Sequence, residues 1–297
     1  MSVIIDKETR VVIQGITGSV GQGFAKKMVE DGTNIVAGVT PGKGGQKVYS
    51  IPVFNTLEEA INETKPNISL IVVPAQFLKD AVFETLYYGI KKLIVYTENV
   101  PLHDEIELVY YSRMKNAIML GPNSPGLASP GIANVSDFNS QYLHKGRIGI
   151  VSKSGTLTYE VIDGLKQVGL GISTFVCIGG DRINGMDYVD ILPLFEMDPE
   201  TDLVIMIGEI GGFAELRAIP IIKKMKKKVF SYIAGQFIPK GKKMGHAGAI
   251  ISESGDDSAV SKISKLNEAG VFTADTITQL FPLVAEFVEK ELSLKNI

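Results

Sequence analysis

Val11-Val12-Ile13-Gln14-Gly15-Ile16-Thr17-Gly18-Ser19-Val20-Gly21 decides the fold class. Three consecutive β-branched residues read as a short strand buried on both faces, the kind found in parallel sheets. The glycines after it permit a tight turn, and the helix that follows offers first-turn N–H groups as a site for a phosphate. The spacing is G-x-x-G-x-x-G, which departs from the dinucleotide fingerprint. The acidic ribose ligand of that fingerprint is also missing. After the second apolar run stands Val39-Thr40-Pro41-Gly42-Lys43-Gly44-Gly45, with a lysine and no acid. A lysine there suits a phosphorylated ribose or a pyrophosphate. Two readings are open at this point: an anion site, or two ordinary glycine turns.

The same alternation continues outward along the chain. Apolar runs recur at Asn34–Gly38, Leu70–Val73, Leu93–Tyr96, Ala117–Leu120, Ile148–Val151, Thr174–Ile178, Leu203–Ile207, Val229–Ala234 and Ala249–Ile251. Stretches of helical period lie between them, including Gly23–Asp31, Leu57–Thr64, Leu78–Tyr88 and Asp104–Lys115. Strands alternating with helices predict an α/β fold with doubly wound parallel sheets. A chain of 297 residues fits two such domains. The seam is expected in Gly121–Gly146, a stretch rich in Pro, Gly, Ser and Asn and without clear period, read as a crossover. The basic run Ile221–Lys228 reads as a solvated helix end, since cations suit a helix C-terminus.

Composition excludes several classes. Apolar residues make up 45% of the chain, enough for a large core and too many for a disordered one. Thirty basic against 33 acidic residues, net charge −3, argue against a nucleic-acid binder held by a basic face. The single cysteine, Cys177, leaves no disulfide framework and no cysteine-rich metal site, and the reducing cytoplasm is the expected compartment. No apolar run approaches the length that spans a bilayer, and no Walker A loop is present.

Of the three histidines, His103 and His144 sit among ordinary polar neighbours, as surface residues do. His246 differs. It lies in Lys242-Lys243-Met244-Gly245-His246-Ala247-Gly248-Ala249, flanked by residues too small to cover it. An imidazole so placed can serve as a nucleophile near neutral pH; a satisfied structural histidine is the competing reading. The run Leu203–Ile207 ends in Gly208-Glu209-Ile210-Gly211-Gly212, which puts a carboxylate at the C-terminal end of a strand, where open α/β sheets hold their ligands. Glu209 is therefore a candidate to fix the tautomer of His246. Ser152-Lys153-Ser154-Gly155-Thr156-Leu157-Thr158-Tyr159-Glu160 follows another strand and reads as a phosphate-binding helix start. A nucleophilic histidine, an orienting acid and a phosphate site together imply phosphoryl transfer through phosphohistidine. No metal ligand set is needed from this chain.

These segments carry a resemblance. Gly15-x-Thr17-Gly18, VTPGKGG (39–45), IPVFNT (51–56), GPNSPG (121–126), SKSGTLTYE (152–160), IGGD (178–181), MIGEIGG (206–212) and MGHAGAI (244–250) together resemble the alpha subunit of succinyl-CoA synthetase over nearly the whole chain. The resemblance implies a CoA-binding Rossmann-like domain over 1–125 and a flavodoxin-like ligase domain over 126–297. It implies that a separate ATP-grasp beta subunit binds ATP and Mg²⁺. Carried over by position, His246 is the residue phosphorylated and Glu209 its partner. Thr17, Gly18, Ser19, Val20, Lys43, Tyr96, Thr97 and Glu98 would contact CoA. Tyr159 would lie near the carboxylic acid substrate, and Ser154 and Gly155 at the phosphate.

The departures concern the acid. Succinate enzymes usually read GGDP where this chain has Gly179-Gly180-Asp181-Arg182, and a Phe-His pair where it has Gly23-Phe24-Ala25. At GGDR, and in Ala259-Val260-Ser261-Lys262 followed by Glu268-Ala269-Gly270-Val271-Phe272, the chain is more similar to ATP-citrate lyase and citryl-CoA synthetase. A guanidinium at Arg182 would suit an acid with an additional carboxylate, because Arg pairs bidentately with carboxylates; a surface arginine is the other reading. Citrate thus stands beside succinate as the expected acid. A remote alternative, an NAD-dependent dehydrogenase or a CoA-sensing regulatory protein, would leave His246 and Glu209 without a role.

Overall fold

The computed structural model describes residues 3–238, 245–252 and 254–292. The strand read at the start of the chain is present as β1 (Val11–Gln14), buried at every position. It is followed by α1 (Ser19–Glu30), β2 (Ile35–Val39), β3 (Lys47–Val48), β4 (Ile51–Phe54), α2 (Leu57–Thr64), β5 (Ile68–Ile71), α3 (Ala75–Tyr87), β6 (Lys92–Val95), α4 (Leu102–Met114) and β7 (Ile118–Leu120). These strands form one sheet in the order β3-β4-β2-β1-β5-β6-β7, parallel except where β3 pairs antiparallel with β4. With β3 set aside, this is the mononucleotide-binding winding, in which the chain runs outward from β1 in both directions.

Local chemistry sets the helix starts. Thr56 caps α2 by accepting the Glu59 N–H at 3.2 Å, while Glu59 accepts the Thr56 N–H at 3.4 Å. No side chain caps α1, whose N-cap is Gly18. Packing then fixes α3 and α4 on the sheet: Leu78 and Val82 from one, Leu108 from the other, bury against Ile71, Leu93, Val95 and Met119. Each fully buried aliphatic side chain of this kind contributes about 2 kcal/mol.

The remainder begins with an antiparallel hairpin, β8 (Gly126–Ser129) with β9 (Ala133–Ser136). The expected crossover at Gly121–Gly146 therefore contains two strands, which their small and polar residues and the Pro130-Gly131 turn conceal. Beyond it come β10 (Lys145–Ser152), α5 (Gly155–Gln167), β11 (Ile172–Cys177), α6 (Tyr188–Met197), β12 (Leu203–Glu209), α7 (Ala214–Arg217), α8 (Ile219–Ile222), β13 (Lys228–Ala234), α9 (Ala259–Glu268), β14 (Phe272–Ala274) and α10 (Ile277–Phe287). Five strands run in the order β14-β13-β12-β10-β11, the flavodoxin-like winding, with β10, β12, β13 and β14 parallel.

The expected strand at Ala249–Ile251 is absent. That apolar run is a loop lying on Gly211, where a Cβ would stand 2.4 Å from the Gly248 carbonyl oxygen. In the basic run 221–228, Lys223, Lys224, Lys226 and Lys228 are exposed as expected of a helix end, whereas Ile222 is buried and Lys227 donates to the Phe195 carbonyl at 2.6 Å and to the Asp198 carbonyl. The chain divides into two compact units: residues up to Ser140 with Cys177–Met186, and Gln141–Val176 with the chain from Asp187 onward. No helix among the described residues is long and apolar enough to cross a membrane.

Candidate active site

In the first unit the winding reverses between β1 and β5, and a cavity of about 1010 Å³ opens at their C-terminal ends. Its floor is the glycine turn. Gly15 has φ +87° and donates its N–H to the Val39 carbonyl at 2.8 Å, which bends the chain off the sheet. Gly21 is the closest-packed point: a Cβ there would lie 2.3 Å from the Gly15 carbonyl oxygen. Thr17, Gly18, Ser19 and Val20 line the cavity with Tyr96, Thr97 and Glu98, so seven of the eight residues assigned to CoA come together. Lys43 is exposed on the turn after β2 and is not among the lining residues. Thr97 is held by a 2.7 Å bond from its hydroxyl to the Val73 carbonyl, and Tyr96 packs edge-to-face on Phe24 with centroids 4.9 Å apart. Burial pushes the Tyr96 phenol up, with Asp137 and Glu98 adding to it, so it stays a hydrogen-bond donor at neutral pH.

The second unit reverses its winding between β10 and β12, and the second set of residues meets there. Glu209 is the last residue of β12; its Oε2 lies 2.7 Å from His246 Nδ1. The Glu209 side chain is 11% exposed and that of His246 28%. A carboxylate accepts at Nδ1, so the ring proton sits there and the lone pair lies on Nε2. Two glycines make this approach possible: Gly211 (φ +83°) and Gly212 (φ +60°) turn the chain sharply after Glu209, and the loop bearing His246 lies against Gly211. The residues before it, Lys242–Met244, lie outside the described residues.

Beside this pair, β10 runs into α5. Ser154 is the N-cap, its hydroxyl accepting the Leu157 N–H at 3.3 Å, and Gly155 opens the helix. Ser152 and Ser154 brace the turn, with the Ser154 N–H donating to Ser152 Oγ at 3.0 Å. Between them Lys153 places its ammonium 3.9 Å from Glu209 Oε1 and 3.7 Å from Glu215 Oε1. Ser154, Gly155, His246 and Glu209 therefore belong to one edge of one sheet. Tyr159, half-buried one turn into α5, packs edge-to-face against Tyr142 at 6.1 Å between centroids.

Arg182 is exposed on the segment Cys177–Met186, which belongs to the first unit. Next to it Glu105 is 3% exposed on the buried face of α4 and accepts the Ile183 N–H at 3.2 Å. Burial, then the neighbouring Asp181 carboxylate, pushes Glu105 up from 4.5 to about 7. Below pH 4.5 folded and unfolded chains both hold this proton, so its contribution to stability is complete. Between 4.5 and about 7 the folded chain holds a proton that the unfolded chain has lost, and stability falls as pH rises. A displacement of that size corresponds to about 3 kcal/mol, which screening by water reduces to about 2 kcal/mol. Glu105→Gln keeps an acceptor for Ile183 and a donor for Asp181 at any pH. It is expected to stabilise the chain by about 2 kcal/mol at pH 8 and to change little at pH 4.5, read by urea unfolding at both. Equal effects at the two pH values would refute the assignment.

Comparison with known proteins agrees with both halves. A CoA binding domain model matches residues 6–99 and a CoA-ligase model residues 151–272. The alpha 1 subunit of ADP-forming succinate–CoA ligase from Archaeoglobus fulgidus is 45% identical over 289 residues, covering 97% of this chain and 99% of the relative. The corresponding alpha subunit of Aquifex aeolicus is 46% identical over 292 residues, covering 97% and 95%. The chain belongs to the succinate–CoA ligase alpha-subunit family.

Among solved structures, ATP citrate lyase from Methanothrix soehngenii, in complex with citrate and coenzyme A, superposes on this alpha-subunit fold with a TM-score of 0.91 at 21% identity. The match covers 99% of this chain and 52% of that one, so the chain spans about half the length of that protein. A dinucleotide-forming acetyl-coenzyme A synthetase from Ca. Korarchaeum cryptofilum matches with a TM-score of 0.74 at 19% identity, over 93% and 60%. These likenesses concern the fold.

Sequence reasoning on this family member missed Lys153, Glu215 and Lys262 at the ligase edge, and Pro74 and Phe77 in the cavity wall. One signal was available. Lys262 falls in α9 between Ala259 and Leu266, at the i+3 and i−4 positions of a buried stripe.

Proposed function

We propose that this chain is the phosphoryl-carrying alpha subunit of an ADP-forming succinate–CoA ligase. The 2.7 Å contact between His246 Nδ1 and Glu209 carries the reading, because it leaves the nucleophilic lone pair on Nε2 at an edge lined by a phosphate-binding helix start. Nε2 attacks the terminal phosphorus of ATP, the phosphorus–oxygen bond to ADP breaks, and Glu209 stabilises the cationic ring. The phosphorylated ring then gives its phosphoryl group to a carboxylate oxygen of the acid, and the Nε2 lone pair is restored. The CoA thiol, as thiolate, attacks the acyl phosphate carbonyl and phosphate leaves.

The chain's own parts divide the work. The N–H groups at Gly155 hold phosphate oxygens, and the first cavity holds CoA through Thr17–Val20 and Tyr96–Glu98. An ATP-grasp beta subunit supplies ATP and Mg²⁺. The cytoplasm suits a chain with one cysteine. The test is incubation of the chain and its partner with ATP labelled at the terminal phosphate. An acid-labile, base-stable label on this chain is expected, and a complex that turns over without one refutes the reading.

Citrate is the second reading for the acid, favoured by the exposed guanidinium of Arg182 after Gly179-Gly180-Asp181. Hydroxamate trapping with succinate and citrate side by side separates the two. If citrate is turned over, Arg182→Pro should lower that rate about tenfold or more and leave succinate unchanged. Equal citrate turnover by the variant removes the case for Arg182.

A further inference from the structure

Behind the histidine–glutamate pair lies a charge pair shut off from water. Lys262 and Glu215 are both 0% exposed. The Lys262 ammonium has three protons and three acceptors: the Glu209 carbonyl at 2.7 Å, the Gly211 carbonyl at 2.8 Å and Glu215 Oε2 at 2.6 Å. Glu215 Oε1 in turn accepts the Glu209 N–H at 3.2 Å. The contacts close a ring in which the N–H and the carbonyl of Glu209 are both gripped, one by each member of the pair. Gly208 makes room for it, since a Cβ there would stand 2.7 Å from Glu215 Cγ.

Stability alone does not account for such a pair. Desolvating two charges costs about what their attraction returns, and buried ion pairs are often replaced by apolar residues without loss. The ammonium has no proton left for a substrate, and among the described residues its acceptors surround Glu209, whose carboxylate bonds His246 Nδ1. We propose that Lys262 and Glu215 are positioning residues, a clamp on the main chain of Glu209 that aims its carboxylate at Nδ1 of His246 and so keeps the lone pair on Nε2. The proposal rests on His246 being the phosphoryl acceptor. Lys153, within 4 Å of Glu209 and Glu215 alike, balances the second negative charge.

The test uses the chain in complex with its nucleotide-binding partner, comparing K262M/E215L, K262M/E215Q and E215D with wild type. Single-turnover phosphorylation of His246 by ATP is followed across pH, together with the KM for CoA and the thermal midpoint. The apolar pair is expected to slow phosphorylation by about 10- to 100-fold, as a misplacement of about 1 Å does. KM for CoA should not move, and K262M/E215Q, which retains the grip on the N–H, should lie between. The acid limb of the rate profile should shift to lower pH, because the protonated ring loses its aligned carboxylate. A purely structural pair would lower the midpoint and leave rate and limb alone. E215D keeps both charges and shortens the reach to the Glu209 N–H, so it too should slow phosphorylation; its rate decides if K262M/E215L does not assemble. Rates within about twofold of wild type with an unmoved limb in the variants that assemble overturn the clamp. A wild-type complex that never takes label on His246 removes the reading beneath it, a separate outcome.

Discussion

His246→Asn is expected to lower CoA ligation by about 10⁴-fold or more while leaving the KM for CoA nearly unchanged. The asparagine side chain still offers an N–H to Glu209, so the loop over Gly211 keeps its anchor. It has no basic nitrogen lone pair to attack phosphorus. The loss falls on the chemical step, and the label from ATP should vanish with it. Steady-state turnover and single-turnover labelling of the same preparation check the two together. Retention of more than about one per cent of wild-type turnover would show that phosphoryl transfer bypasses this ring.

Gly21→Ala is expected to weaken CoA binding by about 100-fold, a far larger effect than its single methyl group suggests. The new Cβ would meet the Gly15 carbonyl oxygen at 2.3 Å and the Ile16 Cα at 2.7 Å. Both are backbone atoms, so no side chain can rotate away and the turn must open. Gly23→Ala is the control two residues on, where nothing lies within 4 Å of the added atom. In a helix interior that change should stabilise by about 0.5–1 kcal/mol and leave CoA affinity as it is. Calorimetric titration of CoA into the complex separates the two variants. A Gly21→Ala complex that binds like wild type would mean that the turn is not the phosphate cradle.

Legibility along the chain followed the physics of burial. Runs such as Leu203–Ile207 announced themselves because a strand covered on both faces is apolar at every position. β8 and β9 did not, because Gly126-Leu127-Ala128-Ser129 and Ala133-Asn134-Val135-Ser136 carry small and polar residues that look like loop composition. Ala249–Ile251 misled in the opposite direction: its apolar residues cover Gly211 rather than enter a sheet. His246 and Glu209 were readable from their small neighbours and from the strand end. Glu215 was not, since an isolated glutamate in a helical segment looks like a solvent-facing residue, and Lys262 gave only its place in the buried stripe of α9. Only coordinates bring them within 2.6 Å of each other.

Gly18 leaves α1 without a side-chain cap. The helix therefore begins unfinished, with its first amide dipoles at the crevice and no side-chain cap among the described residues. In the function proposed above, the diphosphate of CoA completes them. Occupancy and order of that first turn are consequently two aspects of one equilibrium, and the ligand acts as a structural part of the fold it enters.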